Sequence, residues 1–356
     1  MALTRRALLR LAAALPLAGL GHPPRAAEAP PLGRVTPENP VRFPADHAAH
    51  PTYGIEWWYF TGFLELAGGG RRTFEVTFFR NRPEPGPWEA NPSAFTPHQI
   101  YTAHAALGNP ATEEFQHWRR LARGGLDGGE SEADRLLVRL RDWSLMDTEE
   151  GDWRLRLATG DGAWDLRLRP TGAPVRHGRG GVNAKSADGS VASYYYTYPA
   201  MAVAGRLPEG EVTGTVWFDH EWTSTFLPEG TTGWDWVGLR FDDGHALMAF
   251  RFRDAEGRTA YRGGTWIEPD RTTRALAPSD LAWRPLRRWT SPDTGLTYVV
   301  EWELQVRGEQ LRLAPFFDHQ EMQGTGAFNP TYWEGAMTVS GDRVGEGFLE
   351  MTRFAE

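Results

Sequence analysis

A two-residue alternation that returns along most of the chain limits its folding more than any other feature. In "WRLRLA", Trp153, Leu155 and Leu157 alternate with Arg154 and Arg156, the pattern of a strand with one buried and one wet face. Short runs of the same kind recur: "FEVTFFR", "WDLRLRP", "TGTVWFDHEW", "DWVGLRF", "HALMAFRFR", "TYVVEWELQV", "LRLAP" and "GAMTVSG", each bounded by Gly, Pro or Asp. Helical candidates are few, chiefly "FQHWRRLARGGL" at 115–126 and a short turn at "PSDLAW". The expectation is an all-β chain of sandwiches or barrels.

With 356 residues the chain is long enough for two cores. Its halves echo each other: "EWWYFTGFLEL" (56–66) resembles "GWDWVGLRFDD" (233–243), and "VTGTVWFDHEW" (212–222) parallels "VGEGFLEMTRF" (344–354). The Pro and Gly of "STFLPEGTTG" suggest a linker near 224–232. Two tandem antiparallel β-barrels are therefore expected, over 43–226 and 232–356.

The N-terminus carries Arg5 and Arg6 before an apolar run from Ala7 to Leu20 and an "AAEA" ending. This reads as a twin-arginine export signal over 1–29 and predicts a periplasmic or secreted protein. No later segment reaches the about 20 apolar residues that a membrane-spanning helix needs. A net charge of −8 gives no basic footprint for nucleic acid. Cysteine is absent, which removes disulfides, thiolate catalysis and cysteine-bound zinc from the inventory.

Sixteen tryptophans supply large rigid apolar surfaces whose N–H groups need acceptors. Carboxylates stand beside them at Glu56-Trp57, Trp234-Asp235-Trp236, Glu301-Trp302-Glu303 and Trp333-Glu334. Such pairs serve indole N–H groups as acceptors, or they build a pocket where a buried acid protonates an alkene and aromatic faces stabilise the cation. "WFDHEWTS" (217–224) is the densest cluster: on a strand, Trp217, Asp219, Glu221 and Thr223 share one face, and Phe218, His220 and Trp222 the other. Either face needs partners if buried, and arginine can provide them. "DHQE" adds Asp318, His319 and Glu321, yet strand neighbours point apart, so no metal site is expected. All but one of the 38 lysine-plus-arginine residues are arginine. The exception, Lys185, lies in a Gly-rich loop ahead of the aromatic "YYYTY", which includes Tyr196, and suggests a place for a compact point charge. No Gly-x-Ser-x-Gly elbow, P-loop or dinucleotide fingerprint is present.

The segments "FPADHAAHPTYGIEWWYFTGFL", "HGRGGVNAK", "ASYYYTYP", "VTGTVWFDHEWTS", "GWDWVGLRFDDGHALMAFRFR" and "YWEGAMTVSG", with shorter ones between them over 43–353, resemble the carotenoid 1,2-hydratase (hydroxyneurosporene synthase) and AttH-like family of lipocalin-like proteins. The resemblance implies two packed lipocalin-like barrels and cofactor-free addition of water to an isoprenoid double bond, or cyclisation in related proteins. It also implies a His-x-Trp pair and an Asp in the pocket, matched by His220, Trp222 and Asp235. An export signal departs from the namesake enzymes and puts a carotenoid substrate in doubt. The resulting expectation is a cofactor-independent lyase or isomerase acting on an apolar isoprenoid-like molecule or lipid, with peripheral membrane contact as one route to it. Asp235 or Asp219 would donate the proton, with His220 and Glu221 beside them. Trp222, Trp234, Trp236, Tyr59, Trp58, Glu56, Tyr196, Lys185, Glu321 and Trp333 would line the substrate. The alternatives are an apolar-ligand binding protein and, third, a secreted hydrolase. The oligomeric state is left open.

Overall fold

The computed structural model describes residues 31–352 except 84, 85, 87–90, 92, 94, 95, 97, 126, 325 and 327–329. The export signal expected at 1–29 lies outside the described residues. Thirteen described strands form one sheet: β1 (Ile55–Leu66), β2 (Arg71–Asn81), β3 (Ile100–Asn109), β4 (Glu114–Arg123), β5 (Gly129–Ser131), β6 (Leu137–Leu140), β7 (Trp143–Asp147), β8 (Trp153–Thr159), β9 (Gly162–Pro170), β10 (Val175–Arg176), β11 (Val182–Ala184), β12 (Ala192–Leu207) and β13 (Gly210–Thr223). Ten form a second: β14 (Gly233–Phe241), β15 (Ala246–Arg253), β16 (Thr259–Ile267), β17 (Thr273–Leu276), β18 (Leu281–Thr290), β19 (Thr297–Val306), β20 (Glu309–Pro315), β21 (Glu321–Met322), β22 (Tyr332–Gly341) and β23 (Gly345–Thr352). The described residues contain no α-helix, only 3-10 turns at Ala45–His47 and Pro278–Asp280, and no helix long and apolar enough to cross a membrane.

The first sheet runs β4-β3-β2-β1-β13-β12-β9-β8-β7-β6-β5, and the second β17-β16-β15-β14-β23-β22-β20-β19-β18, with antiparallel pairing in both. Each curls toward closure. Arg120 of β4 donates to the Ala158 carbonyl of β8 at 2.7 Å, and β17 and β18, the two ends of the second sheet, are joined by the turn at Pro278–Asp280. The segment expected to be helical at 115–126 is largely strand β4 instead. Its Phe115, Trp118 and Leu121 mimic a helical period, but pairing with β3 from Ile100↔Arg123 to Asn109↔Glu114 satisfies the backbone.

Strands such as β8 and β9 have one wet face: Leu155 and Leu166 pair inside, while Arg154 and Asp165 pair outside. The strands at the contact between the sheets are buried on both. In β1, Trp58, Phe60 and Leu64 join the core of the first barrel, while Tyr59 and Phe63 join a separate apolar seam with Trp217, Trp236, Met248, Phe250 and Phe348. A third cluster, around Val237, Trp266, Trp302 and Leu349, fills the second barrel. Three main apolar volumes result, one inside each sheet and one between them, beside a small cluster of Ala106, Met322 and Tyr332.

Candidate functional site

The seam encloses a cavity of about 220 Å³. Its lining follows from the period of two: Trp57 and Tyr59 of β1, Thr77 and Phe79 of β2, Thr102 and His104 of β3, Asp219 and Glu221 of β13, Trp234 and Trp236 of β14, Phe250 and Phe252 of β15, and Glu350 and Thr352 of β23 all face it. Register brings them together. Tyr59 lies opposite Asp219 and Thr77, Trp57 opposite Glu221 and Phe79, and Trp236 opposite Glu350 and Phe250. Lys185, Tyr195, Phe226 and Tyr332 complete the polar and aromatic boundary. Gly238 gives the Trp236 indole its place, since a Cβ there would lie 2.5 Å from the ring.

Carboxyl groups crowd this seam with few cations nearby. Glu350 is pushed up to about 8, first by burial, against a hydrogen bond from Trp234 Nε1 (2.9 Å) and with help from the neighbouring Glu75, Asp219 and Glu221. Asp219 is pushed up to about 7 by burial, although Tyr195 Oη and Trp217 Nε1 each donate to it at 2.7 Å. Glu75 stands at about 7, raised by burial and lowered in part by Thr77 and Arg119. Glu334, directly across from Glu350 and bonded by Tyr59 Oη at 2.6 Å, lies well above the ordinary range because of burial and then Glu350. Oε2 of Glu75 and of Glu334 are buried with no hydrogen-bond partner among the described residues. Lys185 pairs with Glu221 at 2.7 Å. Near neutral pH the site therefore stores protons on carboxylic acids beside the aromatic faces of Trp57, Trp234 and Trp236.

A second polar cluster lies inside the first barrel. Glu56 Oε2 accepts from Arg80 Nε at 2.8 Å, and Oε1 accepts from His50 Nδ1 at 2.7 Å and His220 Nε2 at 2.8 Å. Glu56 is held well below the usual carboxylate range: burial opposes its charge, but Arg80, His50 and His220 outweigh it. Burial lowers the His220 imidazole. As a neutral ring it donates from Nε2 to Glu56 and accepts at Nδ1 from Tyr196 Oη (3.2 Å). Trp222 stacks on His50 at 3.7 Å and Trp58 on His220 at 4.8 Å. The donor atoms of His50, Glu56 and His220 lie within 4.8 Å of one another, close enough to surround a metal ion. Glu56 meets both rings at hydrogen-bond length, and a cation held there would sit beside Arg80.

The expected site thus divides in three. Asp219, Glu221, Tyr59, Trp234, Trp236 and Lys185 meet at the cavity. His220, Trp222, Glu56, Trp58 and Tyr196 belong to the first barrel's interior cluster and do not line it. Asp235, expected as an acid, faces the second barrel's interior, where its carboxylate bridges Arg251 and Arg253. The reason is simple: with Trp234 and Trp236 toward the cavity, the residue between them points away. Glu321, expected at the substrate, accepts from Ser291, Thr294 and Tyr298. Trp333 lies in the second core, donating to the Asp318 carbonyl at 2.8 Å. Glu350 and Glu75 were missed by sequence reasoning. Each is a lone acid in an apolar strand, "GFLEMT" and "FEVTFF", and that interruption was the available signal.

Comparison with curated proteins finds no match. The crystal structure of an AttH candidate from Nitrosomonas europaea superposes with a TM-score of 0.82 at 34% identity, covering 91% of this chain and 100% of that one. Kievitone hydratase from Nectria haematococca shares the fold, with a TM-score of 0.68 at 17% identity over 91% of this chain and 97% of that one. The family model described as AttH-like matches residues 34–354. With its two curled antiparallel sheets of lipocalin-like form, the chain belongs to the AttH-like family.

Proposed function

We propose that the cavity between the sheets protonates a carbon–carbon double bond of an apolar, isoprenoid-like substrate and adds water to the resulting cation, without a cofactor. The observation that carries this reading is Glu350: a carboxylic acid still protonated near neutral pH, half-buried at a cavity walled by tryptophans. Glu350 gives its proton to the alkene, and the developing positive charge meets the faces of Trp57, Trp234 and Trp236 and the carboxylate left behind. Water then forms the C–O bond and loses a proton to ionised Asp219, whose value near 7 suits it to accept that proton and pass it back to Glu350, restoring the acid. The net change is alkene plus water to alcohol. Where no water reaches the cation, closure onto a second double bond and loss of a proton give a ring instead. Kievitone hydratase, which shares the fold, is a hydratase by name, and carotenoid 1,2-hydratase-like chemistry falls in the same class. On this reading the twin-arginine segment takes the protein to the periplasm, where it meets its substrate from the membrane surface.

The test is turnover in D₂O with acyclic isoprenoid alkenes, read by mass spectrometry. Deuterium should enter alkene and alcohol with the wild-type protein and not with Glu350→Gln. Equal incorporation by that variant would remove Glu350 as the acid.

A second reading is an apolar-ligand carrier. It is favoured by the donors already placed on the seam's acids: Trp234 on Glu350, Tyr195 and Trp217 on Asp219, and Tyr59 on Glu334. A carrier would bind the same alkenes and leave them without deuterium.

A further inference from the structure

The cavity's charge is less simple than its aromatic walls suggest. Lys185, the only lysine of the chain, follows β11 and is 4% exposed. Its ammonium stands 4.5 Å from the Phe250 ring centroid and 5.0 Å from that of Tyr195, joining a strand of each sheet. Among the described residues the oxygen beside it is Glu221 Oε1 at 2.7 Å. An ammonium has three N–H donors, so one ion-pair partner and two ring faces leave it short of hydrogen-bonded oxygens at a cavity it lines. The compact ammonium fits between the two rings where a planar guanidinium would need a flat fork of acceptors.

Building on the reading of the cavity as a substrate site, we infer that its occupant carries one neutral oxygen acceptor, such as a ketone, and that Lys185 donates to it. A pure hydrocarbon seated there would displace water from the ammonium's donors and offer them no acceptor, which is costly. A carboxylate would bring a second anion beside Glu221 and the crowded acids of the seam. A ketone oxygen accepts, needs no donor of its own, and gains a charge-assisted hydrogen bond. The substrate is therefore an oxygenated isoprenoid-like molecule rather than a plain polyene.

Three probes separate these cases: geranylacetone, the hydrocarbon of the same skeleton, and geranate. Titrations follow quenching of tryptophan fluorescence. In the wild-type protein geranylacetone should bind about tenfold tighter than the hydrocarbon and tighter than geranate. In the double variant Lys185→Met with Glu221→Gln, which leaves no buried charge unpaired, that preference should vanish, with hydrocarbon affinity held or raised because the unmet ammonium is gone. Equal wild-type affinity for ketone and hydrocarbon, stronger binding of geranate, or a preference surviving in the double variant would each overturn the inference while leaving the apolar cavity intact. Binding of none of the three would remove the substrate cavity itself. A second measurement needs no substitution. ¹⁵N-lysine labelling gives a single side-chain resonance, from Lys185, and geranylacetone should shift it where the hydrocarbon does not. An unmoved resonance at saturating ketone would overturn the inference independently.

Discussion

Glu56 and Glu350 are both glutamates on barrel strands beside tryptophans, yet their surroundings give them opposite character. Glu56, inside the first barrel, is enclosed by Arg80, His50 and His220 and stays ionised. Glu350, between the barrels, has an indole N–H and other acids for neighbours and keeps its proton. What differs most is the count of cations within reach: Glu56 is the more deeply buried of the two, yet it is the one that stays ionised. An ion pair sealed in one barrel serves architecture; a proton held at a cavity is available to a ligand.

The largest effect that could break this contrast is at Arg80. Replacing it by Met leaves Glu56 charged, buried and uncompensated, and should cost about 3–5 kcal/mol in denaturant unfolding. A loss below about 1 kcal/mol would mean that the histidines alone hold the carboxylate. Glu350→Gln removes a neutral acid by a neutral amide of the same shape. Stability should stay level or rise, while turnover falls about 10²- to 10⁴-fold, measured as deuterium incorporation.

The pH dependence sharpens the same point. Glu350 holds its proton up to about 8 when folded, against 4.5 ordinarily, so between those values the folded state binds a proton that the unfolded state has lost. Its contribution is complete below 4.5 and is lost as pH rises toward 8. The stability difference between wild type and Glu350→Gln should decline across that window. Glu56 has the opposite sign: its lowered value contributes stability above the ordinary carboxyl range and loses it as pH falls. A wild-type-minus-variant difference that rose from pH 4.5 to 8 would contradict the protonated state of Glu350. The smallest effect is expected at the wet face, where Arg284 pairs with Glu303 on exposed strand surface. Arg284→Gln should leave the melting temperature unchanged within error.

Much of the architecture was legible because alternation such as Trp153-Arg154-Leu155 translates directly into a strand with one wet face. The failure at 115–126 came where aromatic spacing imitated a helix and only pairing with β3 decided otherwise. The division of "WFDHEWT" into two faces was also legible, and it correctly separated Asp219 and Glu221 from His220 and Trp222. It did not say which face met a cavity, because that depends on the second sheet docking against the first. Asp235 illustrates the limit: its tryptophan neighbours suggested a pocket acid, while Arg251 and Arg253, brought alongside by β15, made it an ion-pair partner. Glu350 acquires its character first from burial in the seam and then from Glu75, Asp219 and Glu221, residues distant in sequence that only tertiary packing brings near.

The three main apolar clusters also bear on how such a protein diversifies. Each barrel has its own interior, and the residues that would choose the ligand lie in neither. Substitutions along the seam can exchange one guest for another while both interiors keep their packing. A lineage carrying this double fold can thus explore new substrates without first rebuilding the halves that hold it together.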